Sequence, residues 1–96
     1  MLETNIVLVD ELSLLGVKID LPNAPVLMIV GKKGFIGCGY FNIEVADKVA
    51  QALAIVSGVS SFDDVLAATI KDVSSTAVEL GVTIGMTGAN AARLLA

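Results

Sequence analysis

Three places in this 96-residue chain combine residue types that can do chemistry. The first is Gly34-Phe35-Ile36-Gly37-Cys38-Gly39-Tyr40-Phe41, which sets the single cysteine between glycines. A cysteine becomes a nucleophile when a neighbouring base or positive field favours its thiolate. The chain has no histidine, so at Cys38 that task would fall to a lysine or a helix N-terminus. The competing reading makes Cys38 a small buried hydrophobe, the ordinary condition of a free cysteine. The second place is Gly85-Met86-Thr87-Gly88-Ala89-Asn90, a turn entering a helix. Free N–H groups at a helix start attract phosphate or carboxylate, and Met86, Thr87 and Gly88 would let an anion sit close. No P-loop lysine accompanies them, and Thr87 already has work as an N-cap. The third is Asp63-Asp64. A divalent cation needs several converging oxygens, and adjacent acids on a helix diverge. At a helix start such acids are favoured by the dipole, so capping is the preferred reading.

The missing residues narrow the chemistry further. Without histidine there is no His-activated serine or cysteine and no imidazole ligand. One cysteine supports neither an intrachain disulfide nor a cysteine zinc site. Acid–base work would rest on carboxylates, lysines or Tyr40. No cofactor and no metal site is implied. The glycines of the first segment run G-x-x-G-x-G, the reverse of the dinucleotide fingerprint, and they fall on a strand rather than a loop opening a helix. On that strand Gly37 and Gly39 share a face with Phe35 and Phe41, leaving a bare strip that a backbone, helix or ligand can approach. The ligand-binding candidates are therefore Gly37, Gly39, Met86, Thr87 and Gly88, with Cys38 as the one catalytic candidate.

The elements that must hold these residues change character midway. Ile6–Val9 is a β-branched run. Leu15, Val17, Ile19 and Leu21 alternate with Gly16, Lys18 and Asp20, the period of a half-buried strand. Asp10-Glu11 reads as the turn between them, and Leu21–Pro25 as a loop. Val26–Val30 is apolar on both faces, as in an inner strand. Gly31-Lys32-Lys33-Gly34 makes the next turn, with Gly34 suited to a left-handed bulge, and Phe35–Phe41 completes an antiparallel meander. Then the period becomes helical. Asn42 caps a helix over 43–54 with Ile43, Ala46, Val49, Ala50 and Leu53 as its stripe. Ile55–Val59 reads as a short strand. Ser61 and Asp64 open a helix carrying Phe62, Val65 and Leu66 inward. A helix over 73–80 ends at Gly81, Val82–Ile84 reads as a strand, and Thr87 caps a last helix bearing Ala91, Leu94 and Leu95. The fold class is α+β, one two-layer domain over residues 1–96.

Composition bears on partners. Counting the nine glycines and omitting the one tyrosine, about 64% of residues are apolar, against the usual ~45–50%. Charged residues make up 17% where roughly 25% is ordinary. A chain this short has more surface per residue than a large one, so an apolar excess points to surface covered by another copy, a homo-oligomer. The longest strictly apolar stretch, Val26–Val30, is far below the ~20 residues that span a bilayer, and Met1–Asn5 lacks the features of a signal peptide. A cytoplasmic protein is expected, with no membrane partner. The net charge of −4 and a lone Lys32-Lys33 pair argue against nucleic acid.

The two glycine-rich segments also carry a resemblance. Gly34-Phe35-Ile36-Gly37-Cys38-Gly39 resembles the G-[YF]-I-x-C-G element of the YunC-like proteins of bacteria and archaea. Glu79-Leu80-Gly81-Val82-Thr83-Ile84-Gly85-Met86-Thr87-Gly88 is similar to their L-G-[IV]-x-x-G-M-[ST]-G element, the more specific of the two. After Gly88 the chain departs, with Ala89-Asn90-Ala91-Ala92 where the family tends to carry charge. The resemblance implies an α+β fold and brings no assigned catalytic residue. Taken together, the expectation is a homo-oligomeric domain without catalysis. Its rivals are a small-molecule or anion-binding protein using Gly85–Asn90, and a thiol-dependent enzyme at Cys38.

Overall fold

The hairpin foreseen at Asp10-Glu11 is the first unit of the structure, a computed structural model that describes all 96 residues. Strands β1 (Leu2–Val9) and β2 (Leu12–Ile19) pair antiparallel in the register Val9↔Leu12 to Leu2↔Ile19. Asp10 takes the positive φ of 56° that so short a connection demands. β3 (Val26–Val30) and β4 (Phe35–Gly37) continue the antiparallel meander. The chain then crosses through α1 (Ile43–Lys48) to β5 (Leu53–Ile55), which runs parallel to β4. Helix α2 (Phe62–Ala67), a two-residue β6 (Asp72–Val73), α3 (Ser75–Glu79) and α4 (Gly88–Leu95) complete an α+β fold. The six strands form one sheet in sequence order.

Side-chain alternation divides the sheet into two unlike faces. One face carries Val7, Val9, Leu14, Leu27, Ile29, Ile36 and Ala54, which join Val65 of α2 and Ala91, Ala92 and Leu95 of α4 in a single core. Gly16 on this face leaves room for the ring of Phe62, whose atoms stand 2.9 Å from where a Cβ would be. The other face carries Phe35 and Leu53, and here α1 lies, its Ala46 buried in a shallow groove with Phe35, Phe41 and Leu53. β4 and β5 are thus covered on both sides. Over β1, β2 and β3 the second face has no cover.

Several boundaries differ from the sequence reading, each for a local reason. Helix α1 stops at Lys48 instead of 54, because Ala50 turns to a positive φ of 54° and Leu53 becomes a strand residue. The strand read at Ile55–Val59 is β5, shifted to Leu53–Ile55. β4 ends at Gly37 rather than Phe41, so Gly39 lies in the turn beyond the strand. Val82–Ile84 is no strand; Val82 is buried in the core while Thr83 and Ile84 turn outward. Gly34 adopts no left-handed conformation. It is bare because Ala52 and Leu95 occupy its side-chain space, with the Ala52 Cβ 2.5 Å from a notional Cβ. The caps fall where the residue types placed them. Asn42 Oδ1 accepts from the amides of Glu44 (2.7 Å) and Val45 (3.2 Å), Ser61 from Asp64, Ser74 from Ala77 and Thr87 from Asn90.

Candidate functional site

Where parallel strands end, their onward chains can part to opposite sides of the sheet and leave a crevice. This happens once here. From β4 the chain departs through Cys38, Gly39 and Tyr40 toward α1 on one face. From β5 it departs through Ser57, Gly58 and Val59 toward α2 on the other. Between the two exits lies a cleft of about 370 Å³, closed on its third side by Ala24 and Pro25 of the loop before β3. The lining holds no charged side chain.

Cys38 forms the inner part of this cleft. It is 7% exposed, its amide donates to the Leu27 carbonyl at 3.1 Å, and it is a free thiol. Tyr40 stands at the rim, its hydroxyl donating to the Ala24 carbonyl at 3.3 Å. That bond ties the β4 exit to the loop before β3. The amides of Gly39, Tyr40, Ser57, Gly58 and Val59 have no acceptor within the protein, so both exits present unused donors.

The two predicted glycine strips meet different fates. Gly37 is approached closely, as expected, but by the chain's own Phe41, whose ring comes 2.5 Å from a notional Cβ and packs edge-on to Phe35 at 5.2 Å. Gly39 opens on the cleft instead. At the other segment, the isolated bridge Thr69↔Thr87 and bonds from the Ile70 amide to the Met86 carbonyl and from the Gly88 amide to the Ala68 carbonyl (both 2.8 Å) fasten the turn to the end of α2. Gly88 is bare because the Val65 carbonyl oxygen lies 1.9 Å from where a Cβ would stand. Thr87 Oγ1 accepts from Asn90, so of the amides of Gly88, Ala89 and Asn90 that of Ala89 alone keeps no protein acceptor. None of Met86, Thr87 and Gly88 lines the cleft.

The remaining candidates are structural in their contacts. The Ser60 amide (3.1 Å) and hydroxyl (3.0 Å) donate to Asp64 Oδ2, and these bonds hold the carboxyl below the usual carboxylate range. No three metal-ligating side chains gather anywhere. Residues that the sequence reading missed are Ala24, Pro25, Ser57, Gly58 and Val59. Their signal was the parallel pairing of β4 and β5, which a helix drawn through Leu53 conceals.

Fold and cleft together define a small α+β domain built on a meander with one parallel crossover. The family model described as Domain of unknown function (DUF1805) matches residues 37–95, and the chain belongs to that family. Among solved structures it is similar to a protein of unknown function, TA1206 from Thermoplasma acidophilum. The two are 33% identical, with a TM-score of 0.95 over 100% of this chain and 94% of the other. No curated protein matches the chain. No helix is long and apolar enough to cross a membrane.

Proposed function

We propose that this domain is a self-assembling subunit, two copies packing the uncovered faces of β1, β2 and β3 against each other. The observation that carries the reading is the make-up of that face. Its eleven positions are Leu2, Thr4, Ile6, Leu8, Ser13, Leu15, Val17, Ile19, Val26, Met28 and Val30. Nine are apolar, two are hydroxyls, and none is charged. Ile6, Leu8 and Leu2 are 68%, 65% and 64% exposed. By contrast the helix-bearing face places Glu3 opposite Lys18 where the helices do not reach. Charge is thus spent on the face that is already covered elsewhere, and withheld from the face that is bare.

Magnitudes favour a second copy as the cover. β1 and β2, of eight residues each, and β3, of five, cover roughly 330 Å² in projection at ~3.3 Å per residue and ~4.8 Å between strands. That falls within the ~300–600 Å² of the largest apolar patch on an ordinary monomer, a patch that is often functional. Exposed Val45 and Val49 of α1 border the same side and add to it. Burying ~330 Å² on each of two copies gains about 16 kcal/mol gross, against an association cost of about 4–15 kcal/mol. A self-complementary, uncharged face suits a two-fold interface. The free thiol accords with a reducing, cytoplasmic setting.

Light scattering on a size-exclusion column tests this. The wild type should elute at twice the chain mass or more at about 10 μM, which calls for about 7 kcal/mol of net association, inside the range those two figures leave. Leu15→Lys, at the centre of the face, should give a folded monomer, while Val78→Lys on α3, equally exposed but remote from the face, should leave the assembly intact. A monomeric wild type, or an assembly indifferent to Leu15→Lys, would overturn the proposal.

A further inference from the structure

We infer that the cleft at the ends of β4 and β5 is a binding site for a small uncharged molecule that both donates and accepts hydrogen bonds, such as a carboxamide. The strongest observation is a glycine with no structural reason to be one. Of the nine glycines, Gly58, Gly81 and Gly85 have positive φ angles of 70°, 98° and 97°. Gly16, Gly31, Gly34, Gly37 and Gly88 each have an atom within 3 Å of the place a Cβ would take, so a side chain there would collide. Gly39 has neither excuse. Its φ lies outside the left-handed region, and nothing stands within 4 Å of its missing Cβ. The space it leaves empty is the cleft. Bare backbone at such a spot allows close approach by something that is not part of this chain.

Position and lining fix the kind of ligand. The cleft lies beyond the carboxyl ends of two parallel strands whose chains part to opposite faces, where ligands of α/β sheets bind. Ala24, Pro25, Val59 and the Tyr40 ring give this open cleft apolar walls. With no charged side chain in the lining, the cleft offers an ionic ligand no counter-charge to offset its desolvation. Uncommitted backbone groups there are of both kinds: the amides of Gly39, Tyr40, Ser57, Gly58 and Val59, and the carbonyls of Pro25, Gly39, Tyr40, Ser57, Gly58 and Val59. A neutral body with a donor and an acceptor, as in a carboxamide, meets both demands. The site is separate from the face proposed for assembly, and the two readings stand or fall independently.

The test uses the full chain in its native assembly, with N-methylacetamide as the probe and acetate and methylammonium as charged controls. Binding is read from amide shifts in two-dimensional NMR. N-methylacetamide should move the signals of Gly39, Ser57, Gly58 and Val59 saturably in the millimolar range expected of so few atoms, and the charged controls should not. Gly39→Val should weaken that binding about tenfold or more, while its melting temperature stays at or above that of the wild type because the added side chain meets open space. Gly39→Ala should fall between the two. Absence of saturable shifts from N-methylacetamide, equal binding of acetate, or undiminished binding in Gly39→Val would each overturn the inference.

Discussion

Alanine in place of glycine at three positions of the family-like segments should have three different outcomes. At Gly88 the new Cβ would stand 1.9 Å from the Val65 carbonyl oxygen, 2.9 Å from its carbon and 3.1 Å from the Leu66 Cα. These are backbone atoms of α2, so no rotamer change relieves the contact. Helices α2 and α4 must part by more than an ångström, and the packing of Val65 against Ala91 and Leu95 loosens with them. Helix propensity alone would favour alanine by up to about 1 kcal/mol. The forced separation outweighs it, and we expect a net loss of about 3–5 kcal/mol. A chain of this length has only about 5–14 kcal/mol in all, so Gly88→Ala should be barely folded. Gly85→Ala meets no neighbour but must hold φ near 97°, costing about 1–2 kcal/mol. Gly39→Ala should be neutral or stabilising by about 0.4–1 kcal/mol through the unfolded chain. Urea unfolding followed by circular dichroism, at one fixed protomer concentration, measures all three. A loss below about 1 kcal/mol at Gly88, or one above that at Gly39, would refute the reasoning, since the geometry assigns the first a collision and the second empty space.

Two further predictions rest on polar contacts. Ser74 is fully buried; its Oγ donates to the Gln51 carbonyl at 2.7 Å and accepts from the amides of Leu53 (2.9 Å) and Ala77 (3.4 Å). Ser74→Ala strands these groups without water and should cost about 2–4 kcal/mol in urea unfolding; a loss under 1 kcal/mol would mean the pocket rehydrates. Asp64, its carboxyl lowered by the Ser60 amide and hydroxyl, should stabilise α2 above its unfolded pKa of about 3.9 and lose that contribution as pH falls through the lower folded value. The melting-temperature difference between wild type and Asp64→Asn should therefore be present at pH 7 and vanish at acid pH, and a difference that ignores pH would refute the capping role.

Patterns confined to one element were legible in the sequence, and relations between elements were not. The meander, its Asp10-Glu11 turn and the helix starts at Asn42, Ser61 and Thr87 each depend on neighbours a few residues apart, and each is found in the structure. The stripe Ile43, Ala46, Val49, Ala50 and Leu53 misled because a buried strand and a helix face share their apolar composition over so short a run. Ala50 gave no sign of its positive φ, since alanine is among the least expected residues there. That one conformation moved the start of β5 two residues earlier than the reading placed it, and hid the parallel pairing and the cleft. Both glycine-rich segments stand out in the sequence, but the surroundings of their glycines separate only in three dimensions: collision for Gly37 and Gly88, open space for Gly39.

The crossover through α1 also decides which strands are covered on their second face. A crossover between β4 and β5 must traverse one side of the sheet. A helix running to residue 54, as the apolar stripe suggests, would extend about 9 Å beyond Lys48 at 1.5 Å per residue. The six-residue helix that forms instead reaches over Phe35 and Leu53 and no further. β5 begins where the longer helix would have continued, so the chain exchanges cover for a strand. The crossover thereby creates the cleft where the two parallel strands end, and its helix covers the second face at β4 and β5, leaving the charge-free face of β1, β2 and β3 beside it. A sequence selected to live as a monomer would place lysines or glutamates on that face, as it does at Glu3 and Lys18 on the other. The eleven outward positions of that face carry none, which is the pattern behind the proposed assembly.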